Sequence, residues 1–347
     1  MDYRTFFRGK KVLVTGGTGF IGSGIVRDLL SYEPETVRIF SRDESKQCMM
    51  AEELHGRENL RFFIGDVRDL RRLTHAMEGV DVVFHTAAMK HVPACEYNPF
   101  EAVQTNILGM QNVVEAAMAV EAERVILTST DKAANPSSTM GASKLMAEKL
   151  ATAATFYKGK RRTIFASVRF GNVLGSRGSV VPVFIRQILS NHAVRLTNGK
   201  MTRFVMGLSE AVDLIFKATI LAKGGEVFVL RMPSVCLSDL AKVLIDATAG
   251  RNGKSPSSVQ VEEIGERPGE KEHEELLTVE EASRALELDK LFILTPPLSF
   301  SQVSYTYPDA RKARIGSYLS KDAPTLSCKE IHEMLAANGL LHEAVKA

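Results

Sequence analysis

An acid, two amines and a thioether lie close together in residues 128–144, which read TSTDKAANPSSTMGASK. Asp131 is followed directly by Lys132, and Met140 precedes Lys144 by four positions. A carboxyl group with a raised pKa can act as a general acid and an amine with a lowered pKa as a general base, and partial burial supplies both shifts. The Met140 thioether has no proton to exchange. We therefore expect proton chemistry at Asp131 and Lys132, although an adjacent Asp and Lys could equally form a surface ion pair worth about 0–1 kcal/mol.

A second group of residues is suited to binding phosphate. The run VLVTGGTGFIG places Gly16, Gly19 and Gly22 directly after a predicted strand and at the start of a predicted helix. Glycines there permit a tight turn and a close approach of the backbone to a pyrophosphate, which then meets the positive end of the helix dipole. The order of strand, glycines, helix and strand predicts a dinucleotide site rather than an empty glycine-rich turn. Its residues are Gly16, Thr18, Gly19, Phe20, Ile21 and Gly22.

The end of the second predicted strand indicates which dinucleotide binds. Folds that prefer NAD commonly carry an acidic residue there, whereas a nearby arginine accommodates the 2′-phosphate of NADP. Here Ser41 and Arg42 occupy that position, and Lys46 follows one turn later. NADP is therefore favoured. NAD stays possible, because Asp43 could reach a ribose or could merely begin the next helix.

Two short motifs follow the third and fourth predicted strands. In GDV, Asp66 and Val67 would flank the adenine of the cofactor. In HTAAMK, the small residues Ala87 and Ala88 would let the backbone approach the cofactor. Each motif is weak alone, but their order along the chain agrees with the dinucleotide site.

Alternating strands and helices position these residues. Short runs rich in β-branched and aromatic residues predict strands, namely 11–15, 36–40, 60–64, 81–85, 124–129 and 163–170. Segments of helical length separate them, namely 20–31, 43–55, 69–78, 98–120 and 138–158. Most of the strands lack a strict period of two, as expected where helices cover both faces of a sheet. The sequence thus predicts an α/β fold with a Rossmann-like, doubly wound parallel sheet.

The pattern changes in the second half of the chain. Residues 1–170 predict the dinucleotide-binding domain, to which a helix and a strand within 209–230 return. Residues 171–208 and 231–300 contain polar loops and short apolar pieces, and they predict a smaller substrate-binding lobe over the strand ends. Residues 301–347 are expected to form a tail with a terminal amphipathic helix.

Composition indicates an ordinary globular protein of 347 residues with 24% charged and 45% hydrophobic residues. A formal net charge of +3 is too small to argue for nucleic-acid binding. The four cysteines form no Cys-x-x-Cys pair, and no run approaches the ~18 apolar residues of a membrane span. Because the N-terminus also lacks a signal-peptide core, we expect a cytoplasmic protein that binds no membrane. The histidine spacing does not favour a metal site.

Taken together, these motifs resemble those of the extended short-chain dehydrogenase/reductases. More narrowly, the chain is similar to bacterial nucleotide-sugar dehydratases that act on UDP-N-acetylglucosamine. The matching runs cover most of residues 11–300 and include TGGTGFIG, FSRDESKQ, FIGDVRDL, HTAAMKHVPACEYNP, TNILGMQNV, STDKAANP, RFGNVLGSRGSVVPVF, MTRF and IGERPGEKEHEELL. The wider family normally carries Tyr-x-x-x-Lys where this chain has Met140 and Lys144. A capsule-sugar dehydratase/epimerase subgroup shares Met-x-x-x-Lys, so Met140 need not mean an inactive enzyme.

The resemblance implies a closed redox cycle on one sugar. Hydride leaves carbon 4, the carbon-5 proton is lost, the carbon-6 hydroxyl departs as water, and hydride returns to carbon 6. Lys132 is then the candidate base at carbon 5 and Asp131 the candidate acid, while Lys144 binds the nicotinamide ribose. Thr130 could orient the carbon-4 hydroxyl, whose proton would pass to Asp131, Lys132 or water. Met140 would leave room for the ring to shift, which suits inversion at carbon 5.

The resemblance also assigns ligand-binding residues. Lys90 and Asn106 would join the cofactor site. Nucleotide-sugar binding would fall to basic and polar residues, namely Lys90, His91, Asn172, Arg177, Ser179, Val180, Thr202, Arg203, Arg267 and Glu270. Arginine forks match a diphosphate and Glu270 can accept both ribose hydroxyls, although some of these arginines could instead tie the two lobes together. Because relatives associate through helices here predicted at 98–120 and 138–158, a homo-oligomer between dimer and hexamer is expected.

The favoured function is a 4,6-dehydratase that converts UDP-N-acetylglucosamine to a 4-keto-6-deoxy sugar with inversion at carbon 5. Two other enzymes stay open: a UDP-sugar epimerase, and a dehydratase that acts on a 5,6-unsaturated UDP-sugar. A non-catalytic nucleotide-binding scaffold is the third alternative. The presence of Asp131, Lys132 and Lys144 beside the missing tyrosine argues against the scaffold.

Overall fold

The structure is a computed structural model that describes residues 2–190, 192–250, 253, 255–298, 303–314 and 316–341. Its strands within these residues are β1 (Lys11–Thr15), β2 (Thr36–Ser41), β3 (Leu60–Ile64), β4 (Val82–His85), β5 (Arg124–Thr128), β6 (Ile164–Arg169), β7 (Asn172–Val173), β8 (Val194–Leu196), β9 (Thr202–Met206), β10 (Val227–Leu230), β11 (Ser234–Cys236), β12 (Val261–Glu263), β13 (Glu275–Leu277), β14 (Ala285–Leu288), β15 (Leu291–Leu294), β16 (Arg311–Lys312) and β17 (Tyr318–Leu319). Its α-helices there are α1 (Tyr3–Phe7), α2 (Phe20–Leu29), α3 (Glu44–Glu53), α4 (Leu70–Met77), α5 (Val92–Tyr97), α6 (Pro99–Ala102), α7 (Gly109–Ala119), α8 (Thr139–Tyr157), α9 (Val180–Leu189), α10 (Leu208–Leu221), α11 (Leu237–Ala249), α12 (Val279–Ser283) and α13 (Cys328–Ala337).

A ten-stranded sheet forms the centre of the molecule. Seven of its strands are parallel and lie in the order β3-β2-β1-β4-β5-β6-β10. The direction of winding reverses between β1 and β4, which is where open α/β sheets place their ligands. Beyond β10 the sheet continues with the antiparallel strands β15, β14 and β16. The predicted Rossmann-like parallel sheet is confirmed.

Burial on both faces explains why the strands read as continuous apolar runs. In β1, Val12 and Val14 enter a core that also holds buried residues of α2 and α10. Leu13 between them enters a second core, with buried residues of α4, α7 and α8. A parallel strand covered on both faces has no position where a polar side chain would reach water.

A smaller lobe has a core of its own, built from apolar side chains of α9, α11 and α13. The sequence predicted α9 and the terminal helix α13, but it predicted only loops and short apolar pieces around α11. Helix α11 nevertheless runs for 13 residues and buries Leu240 and Leu244, which are one turn apart. Its apolar face is covered by the other two helices, so tertiary packing rather than strong local signals stabilises it.

The C-terminal part of the chain contributes strands to the central sheet that the sequence had placed in the lobe and the tail. Strands β14 and β15 fall within the segment 231–300 expected in the lobe, and β16 falls within the expected tail, yet all three extend the central sheet. The four residues of β15 are all buried, because the strand pairs with β10 on one side and β14 on the other. Residues 342–347 of the expected tail lie outside the described residues.

The segment predicted as one helix at 98–120 is interrupted by a π-helical turn at Val103–Leu108. Within this turn the Asn106 Oδ1 atom accepts a hydrogen bond from the Met89 amide at 2.8 Å, and its Nδ2 atom donates to the Met89 carbonyl at 3.0 Å. The same Nδ2 atom donates to Ser143 Oγ at 2.8 Å. The turn therefore fastens the loop after β4 to α8, the helix that carries Lys144.

Candidate active site

A cavity of about 600 Å³ lies at the carboxyl ends of β1 to β4. Its walls come from the end of β2, from short segments that directly follow the four strands, and from the π-helical turn. The lining residues are Gly16, Thr18, Gly19, Phe40, Ser41, Arg42, Asp43, Lys46, Gly65, Asp66, Val67, Thr86, Ala87, Ala88 and Thr105. Most of the residues predicted to bind the dinucleotide are therefore brought to one cavity.

Two glycines in the first loop have no room for a side chain. Gly16 has a φ of +66°, and a Cβ atom there would lie 2.8 Å from the Ala87 amide nitrogen. A Cβ atom on Gly22 would collide with the carbonyl oxygen of Gly16. The loop can therefore lie against both the β4 segment and the start of α2 only because these residues are glycine.

The N-terminus of α2 is open toward this cavity. Gly19 is its N-cap residue and supplies no side-chain cap, so the first amide groups of the helix, including those of Phe20, Ile21 and Gly22, keep their hydrogen-bonding capacity. Uncapped amides at a helix N-terminus form an anion-binding site. Phe20 and Ile21 contribute their backbone rather than a side-chain wall. The arrangement fits the pyrophosphate of a dinucleotide.

Basic and hydroxyl groups surround the end of β2. Arg42 is largely exposed, and its Nη1 atom lies 3.5 Å from Asp66 Oδ2. Thr18 Oγ1 donates to Ser41 Oγ at 3.1 Å. Asp43 caps α3 by accepting from the Lys46 amide at 3.0 Å and also pairs with the Lys46 ammonium. Those contacts with Lys46 hold the pKa of Asp43 below its usual value. Asp43 thus acts as a helix cap, the alternative that the sequence had left open.

Two residues expected at the cofactor lie elsewhere. The Asn106 amide is buried and bonded to Met89 and Ser143, so it is a structural bridge; its neighbour Thr105 lines the cavity instead. Only the run TNILG pointed to this region, and it could not say which of two adjacent side chains faces the cavity. Lys90 lines a second cavity and donates to the Arg177 carbonyl at 3.1 Å.

Lys144 lies on α8, its side chain reaches the end of β5, and it does not line the 600 Å³ cavity. It is buried, and its Nζ atom donates to the Thr128 carbonyl at 2.5 Å. Burial lowers the pKa of Lys144 to about 8. Behind it, His85 shares a 2.7 Å hydrogen bond with Thr15 Oγ1, and burial lowers the pKa of this histidine to about 3. His85 is therefore a neutral, structurally bonded residue.

Met140 packs inside the protein. Its side chain is buried in a small cluster with Cys95 and Ala102, against which Met89 and Val92 also pack. It lines neither the 600 Å³ cavity nor the second cavity described below. This position differs from the expectation that Met140 leaves room beside the sugar, because the apolar neighbours from α5 and α6 fill the space around the thioether.

A chain of buried charges begins where β5 ends. Asp131 is fully buried, and its Oδ1 atom accepts from Thr130 Oγ1 at 2.9 Å and from Lys132 Nζ at 3.0 Å. Lys132 Nζ also lies 2.9 Å from Glu274 Oε1. The same Glu274 oxygen is 3.9 Å from Arg203 Nε. One ammonium therefore bridges two buried carboxylates, one from each part of the molecule.

These groups titrate differently from one another. Burial raises the pKa of Asp131, and although Lys132 opposes that shift, the charge of Glu274 adds to it. Burial alone would also raise the pKa of Glu274, but Lys132 and Arg203 hold it below its ordinary value. For Lys132, burial lowers the pKa, yet Asp131 and Glu274 together outweigh burial and raise it. The lowered pKa expected of Lys132 as a base is therefore not found.

The second cavity, of about 480 Å³, adjoins this charged chain. Eight of the ten residues predicted to bind the nucleotide sugar line it, namely Lys90, His91, Asn172, Ser179, Val180, Arg203, Arg267 and Glu270. Thr202 does not, because its hydroxyl is bonded to His273 Nδ1 at 2.9 Å and Ser320 Oγ at 2.7 Å. The exposed Arg177 does not either; its charge instead lowers the pKa of Asp43, on the cofactor side.

Glu274 lines the second cavity together with Lys132, and sequence reasoning did not assign it to the site. Its side chain is 2% exposed. The Glu274 Oε2 and Asp131 Oδ2 atoms are buried and have no hydrogen-bond partner among the described residues. The available signal was the acidic run KEHEEL, but nothing local distinguishes Glu274 from the acidic residues around it.

Residues 12–296 match the family described as polysaccharide biosynthesis protein. The chain belongs to this family. It is 49% identical over 334 residues to a Methanocaldococcus jannaschii protein named as an uncharacterized membrane protein, with 96% of this chain and 97% of that relative covered. It is 38% identical over 348 residues to the UDP-glucose 4-epimerase of Rickettsia bellii, with 98% and 99% covered.

Solved structures agree with this assignment. Pen from Bacillus thuringiensis superposes with a TM-score of 0.90 and 44% identity over 96% of this chain and 98% of that one. MoeE5 in complex with UDP-glucose and NAD superposes with a TM-score of 0.63 and 25% identity over 75% and 87%. The extended short-chain dehydrogenase/reductase prediction is confirmed, at the level of the nucleotide-sugar dehydratase and epimerase type.

Within the part of the chain that the structure describes, no helix is both long and apolar enough to cross a membrane.

Proposed function

We propose that the protein is a 4,6-dehydratase that converts UDP-N-acetylglucosamine to a 4-keto-6-deoxy sugar, with inversion at carbon 5. The observation that carries this proposal is Asp131, a fully buried carboxyl group with a raised pKa and one unpartnered oxygen, which is bonded to Thr130 and to Lys132, and Lys132 lines the substrate cavity. A pure 4-epimerase needs no acid at carbon 6, whereas water loss needs one.

NADP is the proposed cofactor. The open N-terminus of α2 suits a pyrophosphate, and Arg42 and Lys46 suit a 2′-phosphate beside the hydroxyls of Ser41 and Thr18. NADP held there would supply the hydride acceptor for carbon 4 and the hydride donor for carbon 6. Asp43 lines the same cavity, where it caps α3 and pairs with Lys46.

The proton at the leaving hydroxyl is assigned to Asp131. A raised pKa keeps a carboxyl group protonated closer to neutral pH, which is the state that a general acid requires. Lys132, which keeps its proton, places a positive charge at the same wall of the cavity. Such a charge stabilises the negative charge that develops on the sugar oxygen when carbon 5 loses its proton.

Lys144 is assigned to the nicotinamide ribose, and Thr130 to the orientation of the carbon-4 hydroxyl. With a pKa of about 8, Lys144 is positively charged for most of its time at neutral pH and can exchange a proton near the working pH. Two groups can then take up the proton of the carbon-4 hydroxyl. They are Lys144, which is bonded to the Thr128 carbonyl, and Asp131, which is bonded to Thr130. Met140 takes no part in this scheme.

The nucleotide sugar is assigned to the 480 Å³ cavity. Arg203 and Arg267 can pair with the diphosphate, and Glu270, which lies 3.6 Å from the Arg203 guanidinium, can accept ribose hydroxyls. The test is an NMR time course with UDP-N-acetylglucosamine in deuterated water. A new methyl signal with deuterium at carbon 5 supports the dehydratase, and a product with an intact hydroxymethyl group contradicts it.

A UDP-sugar 4-epimerase is the second candidate, favoured by the name of the Rickettsia bellii relative. It predicts that the same time course yields a carbon-4 epimer without deuterium at carbon 5. The two functions therefore give separate products in one experiment. A dehydratase of a 5,6-unsaturated sugar would leave UDP-N-acetylglucosamine unchanged.

A second copy of this chain is the proposed partner of the apolar surface formed by α5 to α8. Tyr97 is 88% and Phe100 is 84% exposed, and Val103, Leu108 and Met146 are also exposed there. Exposed apolar patches of this kind mark association sites. Sedimentation should show an oligomer for the wild type and a smaller species for Phe100→Glu; an unchanged species would contradict the assignment.

A further inference from the structure

We propose that Glu274, rather than Lys132, is the base that removes the carbon-5 proton, while Lys132 stays charged between Glu274 and Asp131. This inference rests on the proposed dehydratase function. It concerns a residue that precedes β13 and enters the site from the lobe.

Glu274 lines the substrate cavity, and one of its two carboxylate oxygens has no hydrogen-bond partner among the described residues. Its Oε1 atom lies 2.9 Å from Lys132 Nζ, whereas Oε2 is buried and has no partner among the described residues. Leaving a buried polar atom without a hydrogen bond is costly, so such atoms in native proteins commonly have a functional reason. Oε2, which Lys132 does not engage, is the atom assigned to the substrate proton, and substrate binding must uncover it.

The backbone of Glu274 is held on both sides. Its amide donates to Ser320 Oγ at 2.9 Å, and its carbonyl accepts from the Ser320 amide at 2.8 Å. Ser320 is fully buried, and its hydroxyl is 2.7 Å from Thr202 Oγ1. Ser320, which bonds the Thr202 hydroxyl, thus also fixes the backbone of Glu274. Rigid support of this kind is what a catalytic base requires.

The two carboxyl groups that contact Lys132 have pKa values shifted in opposite directions. Glu274 has a lowered pKa and is ionised at neutral pH, whereas Asp131 has a raised one. Neighbouring titratable groups whose environments push their pKa values apart identify the base and the acid of a reaction. Carboxylates serve as the base for protons next to a carbonyl in other enzymes, so a modest pKa is no obstacle. Lys132, whose pKa is raised, lacks the lone pair that a base needs.

In the elimination of water, Glu274 accepts one proton and Asp131 gives one, and both groups contact Lys132. The carbon 5–hydrogen bond breaks, its proton goes to Glu274 Oε2, and its electron pair forms an enolate whose negative charge on the carbon-4 oxygen is stabilised by the Lys132 ammonium. The bond between carbon 6 and oxygen breaks next. Asp131 gives its proton to that oxygen, which leaves as water, while the enolate electrons form the carbon 5–carbon 6 double bond and restore the ketone.

Exchange of the carbon-5 proton isolates this base from hydride transfer. The holoenzyme is incubated in deuterated water with the isolated 4-keto-6-deoxy product of the wild-type reaction, and the loss of its carbon-5 signal is followed by NMR. The wild type should exchange this proton. Glu274→Gln, which keeps the shape and removes the base, should exchange it about 10²–10⁴-fold more slowly.

Lys132→Arg is the paired variant, because an arginine keeps the positive charge but cannot be deprotonated in a protein. It should retain exchange to within about tenfold, equivalent to about 1.4 kcal/mol. Glu272→Gln is the matched control, since the Glu272 side chain is half exposed and lies outside the cavity, and it should exchange like the wild type. Glu274→Asp keeps a carboxylate and should recover part of the rate.

The pH dependence of exchange gives a readout that a structural role would not move. The charged groups that face Glu274 are Lys132, Arg203 and Lys271, with Asp131 behind Lys132. If Glu274 is the base, the rate should rise through the acid range as the carboxylate ionises. If both Glu274→Gln and Lys132→Arg lose exchange, the pH profile of the wild type decides between the two bases. A rate that rises through the acid range supports Glu274, and a rate that rises only at alkaline pH overturns the assignment.

Three outcomes separate the two proposals. If Glu274→Gln exchanges like the wild type, or only Lys132→Arg loses exchange, Glu274 is not the base although the dehydratase function stands. If the wild type forms no 4-keto-6-deoxy product from UDP-N-acetylglucosamine, both proposals fall. If Glu274→Gln alone loses exchange while binding UDP with unchanged affinity, the assignment is supported.

Discussion

The cofactor cavity and the substrate cavity are built from the chain in different ways. Almost all of the first cavity comes from short segments that directly follow β1 to β4, so its residues are fixed by the order of the strands. The second draws on residues between 90 and 274, from both the Rossmann sheet and the lobe. The first is therefore a local product of sheet topology, and the second exists only where the two parts of the molecule meet.

The charges of the two cavities differ in the same way. Around the first cavity, ion pairs such as Arg42–Asp66 and Lys46–Asp43 are substantially exposed. At the second, Lys132 joins Asp131 and Glu274, and the two carboxylates have almost no access to water. Solvent screens the first set and leaves the second strongly coupled. Substitutions around the first cavity should therefore change cofactor binding, and substitutions of Asp131, Lys132 or Glu274 should change the chemistry.

The largest effect is expected for Asp131→Asn, which removes the proposed acid from the substrate side. Water loss should fall by about 10²–10⁴-fold, because an amide cannot deliver the proton. NADP affinity should stay the same, since Asp131 lies outside the cofactor cavity. Methyl formation followed by NMR and NADP titration measure the two quantities. The exposed Asp289→Asn variant is the control, and a parallel loss of NADP binding would contradict the separation of the cavities.

Arg169 of β6 tests a second buried group of charges, away from both cavities. It is fully buried, and its guanidinium bonds to Glu148 of α8 and Glu281 of α12 at 2.6–3.0 Å. Arg169→Met leaves two buried carboxylates unpaired, so the free energy of unfolding should fall by about 3–5 kcal/mol.

Urea denaturation measures this loss. The control is Arg195→Met, which breaks the exposed pair with Glu262 and should cost about 0–1 kcal/mol. Equal losses in the two variants would show that burial does not distinguish these ion pairs.

Arg42→Ala should affect the cofactor side only. Losing a hydrogen bond to a charged 2′-phosphate, worth about 1.5–3 kcal/mol, should weaken NADP binding by roughly 10- to 100-fold. NAD binding should change little, because NAD lacks that phosphate. Calorimetric titration with both dinucleotides gives the ratio, with the exposed Arg57→Ala as the control. Equal weakening of NAD and NADP would argue against the 2′-phosphate assignment.

The smallest effect concerns Lys144, which is buried and lines neither cavity. Burial lowers its pKa from an ordinary 10.5 to about 8, so between these pH values the unfolded chain binds more protons than the folded one. Stability should therefore rise with pH across this window, by at most about 1.4 kcal/mol per pH unit relative to Lys144→Met.

Chemical denaturation at several pH values from 7 to 10 checks this slope. The exposed Lys149→Met variant should show no such difference from the wild type. Parallel curves for the wild type and Lys144→Met would contradict the lowered pKa.

The contrast between the two cavities also explains which site residues could be predicted from the sequence. The glycines after β1, the cations after β2 and the Asp131–Lys132 pair stand beside their strands, so a local pattern locates them. Glu274 lies 142 positions from Lys132, and only the packing of the lobe brings their side chains to 2.9 Å. Asn106 and Thr105 show a finer gap, because a helical pattern does not foresee a π turn that decides which of them faces the cavity.

The π turn at Val103–Leu108 also shows that this helical segment contains one residue more than a regular α-helix would need. A π bulge holds one residue more than a regular α-helical turn, so it corresponds to a single-residue insertion. Removing one residue would let the segment close as a continuous α-helix with α6 and α7 in nearly the same orientation, because the wider turn rotates less per residue. Asn106 lies inside the widened turn, so its bridge to Met89 depends on that turn. One extra residue in a helix thus fastens the loop after β4 to α8.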